Sequence, residues 1–230
     1  MKIASQLFGK KTQLQVAQTT GLILSGGGAR AAYQVGVLKA VAELWPHPDD
    51  NPFQVIVGTS AGAIYAVSLA CGATHFKSAV KQLESVWENF TTNRVYRTDW
   101  PGVLAQVARF GWAHLLGVGR QKVPLALLDN APLRELLASE LDFSGISLAL
   151  SRRKLRAVGI TAFSYQDAQS TTFYQSRGAV LPWLRHRRQG VPARLELEHL
   201  LASAAIPLLF PPACIDGSYY GDGAVRQKAP

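Results

Sequence analysis

Cysteine is scarce in this sequence. Its 230 residues include only Cys71 and Cys214, which lie far apart and fit neither a CxxC nor a zinc-finger spacing. This scarcity excludes a disulfide framework and a zinc-finger fold, and it is typical of a reducing compartment. No apolar run approaches the roughly 20 residues of a membrane-spanning helix, and the N-terminus lacks the apolar core of a signal peptide. We therefore expect a cytoplasmic protein that reaches a membrane only peripherally.

Acidic residues are also few, 15 against 24 lysines and arginines, which gives a formal net charge of +9. The excess is concentrated in two basic clusters, residues 152–156 and 185–188. Such clusters attract polyanions, either nucleic acid or the anionic face of a membrane, although each cluster alone is equally typical of an ordinary solvated surface. No zinc-finger or RNA-binding pattern accompanies them. We therefore expect contact with an anionic membrane surface and not with nucleic acid.

The sequence does contain an alternation of predicted strands and helices. Apolar segments typical of buried strands occur at residues 21–24, 53–57 and 155–162, and helical patterns follow the first two. This alternation predicts one α/β domain over residues 21–230, with a mainly parallel central sheet covered by helices on both faces. Residues 1–20 are predicted to be an N-terminal extension.

Two segments do not fit the alternation of strands and helices. Residues 91–116 mix aromatic residues and glycines with a helical pattern, which fits a lid over a pocket and a second packing layer equally well. Asp216 and Gly217 form an Asp-Gly pair, which is typical of a hairpin turn.

A tight turn follows the second predicted strand, with the sequence Gly58-Thr59-Ser60-Ala61-Gly62. A serine on such a strand-to-helix turn has a strained backbone, and its small neighbours let chain segments pass without a Cβ clash. The serine also lies at the N-terminus of the following helix, where free N–H groups favour a developing negative charge. Because such pentapeptides also occur by chance in α/β proteins, the turn alone does not establish a nucleophile.

A glycine-rich loop follows the first predicted strand, with the sequence Gly26-Gly27-Gly28-Ala29-Arg30. Consecutive glycines let backbone N–H groups converge on one point, as the oxyanion of an acyl transfer requires. A parallel sheet would place this loop at the same edge as the serine turn. The sequence therefore favours an oxyanion hole beside a serine nucleophile.

The same loop also has the spacing of a dinucleotide-binding fingerprint. Gly26, Gly28 and Ala31 match its small residues, and Asp49 or Asp50 lies about 20 residues further on. Those aspartates lie among prolines and not at a strand end, and the fingerprint gives no account of the serine turn. A nucleotide- or lipid-binding module without catalysis therefore remains an alternative.

A serine nucleophile needs a base, and the preferred one is Asp222, in the sequence Asp222-Gly223-Ala224. A carboxylate within hydrogen-bond distance can accept the serine proton, and such assistance contributes about 10²–10⁴-fold to the rate. None of the five histidines stands at a strand-end turn with small neighbours. A serine acyltransferase or thioesterase with a histidine base remains an alternative. It would require one of three histidines beside the serine: His75, His114 or His199.

Four ordered motifs resemble those of the patatin-like phospholipases, over a stretch from about Gly21 to the end of the chain. They are the glycine loop at residues 26–30, the serine turn at 58–62, the stretch ASAAIPLLFPP at 202–212, and the aspartate motif at 222–224. The resemblance implies a three-layer α/β/α sandwich and hydrolysis of fatty acyl esters in phospholipids or neutral lipids. It also implies a Ser–Asp dyad that requires no metal or other cofactor.

The resemblance assigns roles to the individual residues of these motifs. Ser60 would attack the acyl carbonyl while Asp222 accepts its proton, and the loop N–H groups of residues 27–29 would hold the oxyanion. Arg30 would fix the loop, and the basic clusters with the aromatic segment would contact lipid. Family domains usually continue beyond the aspartate motif. Because this chain stops at Pro230, we expect a fragment or a further tail.

Overall fold

The structure, a computed structural model, describes residues 19–47, 49–88 and 128–230. These ranges contain eight strands in one sheet and six α-helices. None of these helices combines the length and the apolar character needed to cross a bilayer. Most of the predicted N-terminal extension and the whole of the predicted lid or packing layer at residues 91–116 lie outside the described residues.

The order of elements follows the predicted alternation of strands and helices. The strands are β1 (Gly21–Leu24), β2 (Val55–Thr59), β3 (Ala157–Ser164), β4 (Gln169–Ser176), β5 (Trp183–Arg185), β6 (Arg188–Pro192), β7 (Ala213–Ile215) and β8 (Ser218–Asp222). The helices are α1 (Ala32–Leu44), α2 (Ala61–Cys71), α3 (Phe76–Glu88), α4 (Ala131–Glu140), α5 (Ser144–Ser151) and α6 (Leu197–Ala204). Two short 3-10 turns, Gly28–Ala31 and Gly223–Val225, each include part of a predicted motif.

The sheet is mixed and not mainly parallel as the sequence predicts, because only the β1–β2, β2–β3 and β4–β6 pairs of the described strands are parallel. Strand β3 pairs antiparallel with both β4 and β8, while β6 is parallel to β4. Strands β5 and β7 are antiparallel to β6 and β8. The correction has a simple physical reason. Residues 165–168 are the whole connection between β3 and β4, and so short a link forms a hairpin, whereas parallel strands need a long crossover.

The predicted Asp-Gly hairpin turn is confirmed between β7 and β8. Both turn residues have positive φ, 49° at Asp216 and 78° at Gly217, as a two-residue type I′ turn requires. Strand β8 begins at Ser218, two residues before Tyr220, which pairs with the last residue of β3, Ser164. The turn therefore lies beyond the end of β3. The last residue of β8, Asp222, is thereby brought back alongside β3.

The described helices pack against one face of the sheet. Side chains that point to this face from three neighbouring strands are completely buried, among them Ile56, Val158 and Ile160. Helix α2 contacts β1, β2 and β3 and is buried on nearly all sides, while α6 contacts β3, β7 and β8. Both crossovers, β1 to β2 and β2 to β3, step in the same direction, and right-handed crossovers of that kind leave their helices on one face. The opposite face, which the third layer of the predicted sandwich would cover, has no helix of the described residues on it.

Candidate active site

The carboxyl ends of β1, β2 and β3 meet at one edge of the sheet, called here the carboxyl edge. The glycine loop follows β1, and Ser60 follows β2 directly. Asp222 arrives from the opposite direction on β8, where it pairs with Ala162 of β3. Three motifs that are up to 196 residues apart in sequence are therefore placed side by side by strand pairing.

Ser60 occupies a strained backbone conformation at the N-terminus of α2. Its φ and ψ are 55° and −127°, a combination that a non-glycine residue adopts only when the surrounding structure imposes it. The surroundings leave no room for larger neighbours, because a Cβ atom on Gly62 would lie 2.3 Å from the Leu24 carbonyl oxygen. A Cβ atom on Gly58 would lie 2.2 Å from the Gly62 carbonyl oxygen. The strand–turn–helix setting predicted for Ser60 is therefore present, with the predicted need for small residues.

The side chains of Ser60 and Asp222 contact each other directly. The Ser60 hydroxyl donates a hydrogen bond of 2.6 Å to Oδ2 of Asp222, and the Ala224 N–H donates one of 2.7 Å to Oδ1. Both side chains are buried, with 8% and 3% of their residues' surface exposed. The serine hydroxyl is thus already paired with a carboxylate, a group that can both orient it and accept its proton.

Burial alters the acidity of this carboxyl group. Loss of hydration raises the pKa of Asp222 above its ordinary value, and the hydrogen bonds from Ser60 and Ala224 oppose that rise without cancelling it. A carboxylate with a raised pKa is a better proton acceptor than an exposed one. The environment therefore makes Asp222 more basic, as proton abstraction from a hydroxyl requires.

The glycine loop lies against this pair. A Cβ atom on Gly26 would be 3.1 Å from Cβ of both Ser60 and Ala224, so the loop backbone passes directly over them. The N–H of Gly26 donates to the Lys228 carbonyl oxygen at 2.9 Å. In contrast, the N–H groups of Gly27 and Gly28 have no acceptor among the described residues. Gly28 has a φ of +52°, which turns the chain into the 3-10 turn that includes Ala29.

The loop is held by a residue that the sequence did not single out. The side-chain amide of Gln34 donates to the Ser25 carbonyl oxygen at 2.9 Å. Arg30, predicted to fix the loop, contributes its backbone N–H, which donates to the Gly27 carbonyl oxygen at 3.1 Å. Its side chain is exposed and has no hydrogen bond or ion pair within the described ranges. The sequence signal for this role of Gln34 is its position one helical turn after the glycine loop.

Ser203 is a second site residue that the sequence reasoning missed. Its hydroxyl accepts a 2.9 Å hydrogen bond from the Ser60 N–H and donates a 2.7 Å bond to the Thr161 carbonyl oxygen. The side chain has no exposed surface. It therefore connects α6 and β3 to the strained backbone of the candidate nucleophile. The sequence identifies the stretch 202–212 as a motif, but it does not indicate that Ser203 contacts the serine turn.

An apolar cavity of about 570 Å³ opens beside Ser60. Its walls come from α2, α3, α4, the end of α6 and the turn that follows it. The bidentate ion pair of Arg134 with Glu198, at 2.6 and 3.0 Å, joins α4 to α6. Most lining side chains are aliphatic or aromatic. They include Ile64, Leu83, Val86, Leu133, Leu136, Leu137, Ile206, Leu209 and Phe210. The cavity can therefore hold an apolar chain whose end lies at the serine hydroxyl.

The two candidate histidines that the structure describes, His75 and His199, have other partners. His199 accepts a hydrogen bond from the Glu196 N–H and packs on the Phe173 ring, and burial lowers its pKa. His75 contacts Asp49 at 3.3 Å on the protein surface. His114 lies outside the described residues. Neither described candidate contacts Ser60, whose hydroxyl is bonded to the aspartate.

The aspartates of the alternative nucleotide fingerprint lie at the other end of the sheet. Asp50 precedes β2 and forms a 3.0 Å ion pair with Lys154, which precedes β3. The fingerprint needs its carboxylate at the carboxyl end of the strand, next to the glycine loop. This geometry does not fit a dinucleotide. In the described part of the chain, no group of three or more His, Cys, Asp or Glu is arranged to bind a metal ion.

The chain is similar in sequence to known phospholipases. A cGAMP-activated phospholipase of Pseudomonas aeruginosa is 27% identical over 218 residues, covering 91% of this chain and 53% of its own length. One of Escherichia coli is 28% identical over 222 residues, covering 91% and 52%. The chain thus spans about half the length of these curated relatives. A cUMP-AMP-activated phospholipase of Escherichia coli is 43% identical over 51 residues, 22% of this chain and 16% of its own.

A solved structure and a family profile complete the comparison. VipD from Legionella pneumophila has the same fold with a TM-score of 0.53 at 15% identity, over 90% of this chain and 46% of its own. The sequence profile described as Patatin-like phospholipase matches residues 22–230, nearly the whole chain. The fold, the order of the motifs and this match lead to one conclusion: the chain belongs to the patatin-like phospholipase family.

Proposed function

We propose that this chain hydrolyses fatty acyl esters of phospholipids or related lipids through a Ser60–Asp222 dyad. The observation that carries the proposal is the 2.6 Å hydrogen bond between the serine hydroxyl and the buried carboxylate. Membership of a phospholipase family supports the class of reaction. The cavity beside the serine supports an apolar acyl group as the substrate.

In the acylation step, Oγ of Ser60 attacks the ester carbonyl carbon and its proton passes to Oδ2 of Asp222. The same proton then moves to the departing alcohol oxygen as the ester bond breaks. Water next attacks the acyl-enzyme, giving a proton to Asp222 and releasing the fatty acid. Asp222 finally returns that proton to Oγ of Ser60. General-base assistance of this kind is worth about 10²–10⁴-fold in rate.

The oxyanion of each step would bind at the glycine loop. The N–H groups of Gly27, Gly28 and Ala29 are the proposed donors, and the first two have no competing acceptor in the residues described. The N–H of Gly26 is engaged by Lys228, so it is not proposed as a donor here. Loss of one such donor usually lowers the rate by about 10²–10³-fold. The N-terminus of α2 adds a favourable dipole at the same point.

The cavity beside Ser60 has a volume of about 570 Å³, within the roughly 300–1,000 Å³ that is typical of pockets for small molecules. Because its lining is mostly apolar, we propose that it binds the fatty acyl chain of the substrate.

The substrate implies a peripheral contact with an anionic membrane surface, which is part of the proposal. The relatives' names also suggest a regulator, because all three are named as cyclic-dinucleotide-activated phospholipases. We include activation by cGAMP as a condition to be tested.

The test is release of p-nitrophenol from acyl esters and of fatty acid from phospholipid vesicles, each with and without cGAMP. Wild-type protein should hydrolyse both substrates, and Ser60→Ala and Asp222→Asn should lose at least about 10²-fold in kcat. Circular dichroism should show that both variants remain folded. A matched control is Ser139→Ala, which removes an exposed hydroxyl from α4. Unchanged activity in either dyad variant would disprove the mechanism.

A further inference from the structure

The two basic clusters, which the sequence does not distinguish, lie at opposite edges of the sheet. The cluster at 152–156 lies at the amino edge, where the Arg156 N–H donates to the Gln54 carbonyl oxygen just before β2. The cluster at 185–188 lies in the hairpin formed by β5 and β6, called here the arginine hairpin. Its position in the sheet follows from the strand registers.

Strand pairing places the turn of the arginine hairpin at the carboxyl edge. Arg188 of β6 pairs with Ser170 of β4, and Ser170 in turn pairs with Phe163 of β3. Phe163 is the residue after Ala162, the partner of Asp222. The turn therefore lies slightly beyond the level of the candidate dyad. It is about 14 Å to the side of β8, since three strand spacings of about 4.8 Å separate the strands.

Exposed apolar side chains accompany the arginines at this edge. Leu184 of β5 is 74% exposed, level with Gln189 and next to the exposed Arg185. Leu208 is 72% exposed and has a φ of 69°, a conformation that a leucine rarely adopts. It belongs to the turn at residues 206–210, called here the leucine turn, whose other members Ile206 and Leu209 line the acyl cavity.

We propose that the arginine hairpin and the leucine turn form the face that docks on an anionic lipid bilayer, and that the cluster at 152–156 does not take part. The inference rests on the proposed function, because it assumes that the acyl cavity receives lipid. It goes further by assigning the membrane contact to one edge of the sheet.

Three physical arguments favour a bilayer as the partner. Arg185, Arg187 and Arg188 are all exposed, and guanidinium groups form bidentate hydrogen bonds with phosphate. The exposed leucines can insert at the boundary between lipid headgroups and acyl chains. Proteins that bind single-stranded nucleic acid instead use aromatic side chains on which the bases stack. The leucines therefore favour a bilayer. The cavity lined by Ser60 is also lined by Ile206 and Leu209 of the leucine turn, so the proposed docking face lies next to the acyl cavity.

The charge of the edge is not uniformly positive. Asp167, in the turn between β3 and β4, is within hydrogen-bond distance of the Ser164 hydroxyl at 2.9 Å, and Asp216 lies in the turn between β7 and β8. Both carboxylates lie in turns at the same edge of the sheet as the arginine hairpin. The anionic lipid contact is therefore expected to centre on the hairpin, with the leucines inserted at the other side near the cavity.

The experiment measures co-sedimentation of the full chain with vesicles, in a Ser60→Ala background so that no lipid is consumed. Vesicles of phosphatidylcholine alone are compared with vesicles that also contain phosphatidylglycerol. The double variant Arg187→Gln/Arg188→Gln is compared with Arg152→Gln/Arg153→Gln, which removes two exposed arginines at the amino edge. The hairpin variant should bind anionic vesicles about 30-fold more weakly, about 2 kcal/mol for two basic residues near the surface. The amino-edge variant should bind like its parent.

Leu208→Ser tests the apolar part separately. It should reduce binding to both kinds of vesicle about equally, because it removes insertion and leaves the charge intact. Equal losses for the two arginine pairs, or no loss for the hairpin pair, would overturn the proposal. Tighter binding of wild-type chain to single-stranded RNA than to anionic vesicles, lost in the hairpin variant, would also overturn it and assign the hairpin to nucleic acid.

A readout independent of the vesicles separates this proposal from the proposed function. In the wild-type background, Arg187→Gln/Arg188→Gln should hydrolyse a water-soluble short-chain p-nitrophenyl ester at the wild-type rate. Loss of vesicle binding with retained ester hydrolysis supports the docking face. Ester hydrolysis that is absent in the wild-type chain contradicts the proposed function, while the vesicle comparison still decides the docking face.

Discussion

An aspartate stands at each edge of the sheet, and the two aspartates differ in burial. At the carboxyl edge, Ser60, Ser203 and Asp222 are buried and bonded to one another or to backbone. At the amino edge, Asp50 and Lys154 form an ion pair that is largely exposed to solvent. Reactive chemistry needs the first arrangement, because a buried polar group has altered acidity and a fixed geometry. The comparison teaches that the surroundings of a side chain, and not its type, separate the two edges.

The largest effect that would sharpen this comparison is expected at Gly62. In Gly62→Ala, the new Cβ would lie 2.3 Å from the Leu24 carbonyl oxygen, a backbone atom that cannot move away easily. We expect a loss of about 3 kcal/mol in the free energy of unfolding, at the upper end for overpacking. Urea denaturation measures it.

A matched control for Gly62→Ala is available in α1. Gly36 lies within the helix and its Cβ position is open, so Gly36→Ala should stabilise the protein by about 0.5–1 kcal/mol. If the two alanine variants had equal stabilities, the close approach at the serine turn would not be real.

The next effect is expected at Ser203. Ser203→Ala would leave the Ser60 N–H and the Thr161 carbonyl oxygen buried without their partner. Such a loss costs about 1–3 kcal/mol, and release of the strained serine backbone should lower kcat about 10-fold or more while KM changes little. Steady-state kinetics on a soluble ester measure the split. A change in KM alone would mean that Ser203 acts on the cavity and not on the nucleophile.

A third effect concerns pH. Since burial raises the pKa of Asp222, the folded protein holds this proton at pH values where the unfolded chain has released it. Stability should therefore fall as the pH rises from the ordinary aspartate pKa to the raised one. Asp222→Asn should lack this fall and be at least as stable as wild type at neutral pH.

Activity should show the opposite trend. Because Asp222 must be ionised to accept a proton, wild-type kcat/KM should rise with pH through the raised pKa of Asp222. Thermal unfolding and ester hydrolysis across the same buffers measure both curves. An activity curve whose acid limb lies at or below the ordinary aspartate pKa would contradict the assignment of the base.

The smallest effect is expected at the amino edge. Asp50→Asn breaks an exposed ion pair with Lys154, and such pairs contribute about 0–1 kcal/mol. We expect a stability change of about 0.5 kcal/mol or less and unchanged ester hydrolysis. A large loss of activity in this variant would break the distinction between the two edges.

The sequence predicts local features of this protein well. Strand, turn and helix around Ser60 follow from glycine spacing and apolar periodicity, which are short-range patterns. The Asp-Gly turn between β7 and β8 was likewise predicted from two residues and is confirmed. The membership of the family, identified from four ordered motifs, is confirmed by the profile match.

What the sequence did not predict depends on contacts between distant segments. The β7–β8 hairpin has a local signal in its Asp-Gly turn, whereas the pairing of β8 with β3 joins segments far apart in the sequence. Ser203 acts on Ser60, which lies 143 positions away in the sequence but adjacent in space. A short-range pattern cannot predict such a contact. The basic clusters look alike in sequence because composition does not say at which edge a hairpin ends.

The central claim is that Ser60 is a nucleophile activated by Asp222. The most direct measurement is covalent labelling with an alkyl fluorophosphonate, followed by peptide mass spectrometry. A single adduct should form on Ser60 in wild-type protein, disappear in Ser60→Ala, and form at least about 10²-fold more slowly in Asp222→Asn. An adduct on any other residue of the folded protein, or labelling of Asp222→Asn at the wild-type rate, would contradict the account.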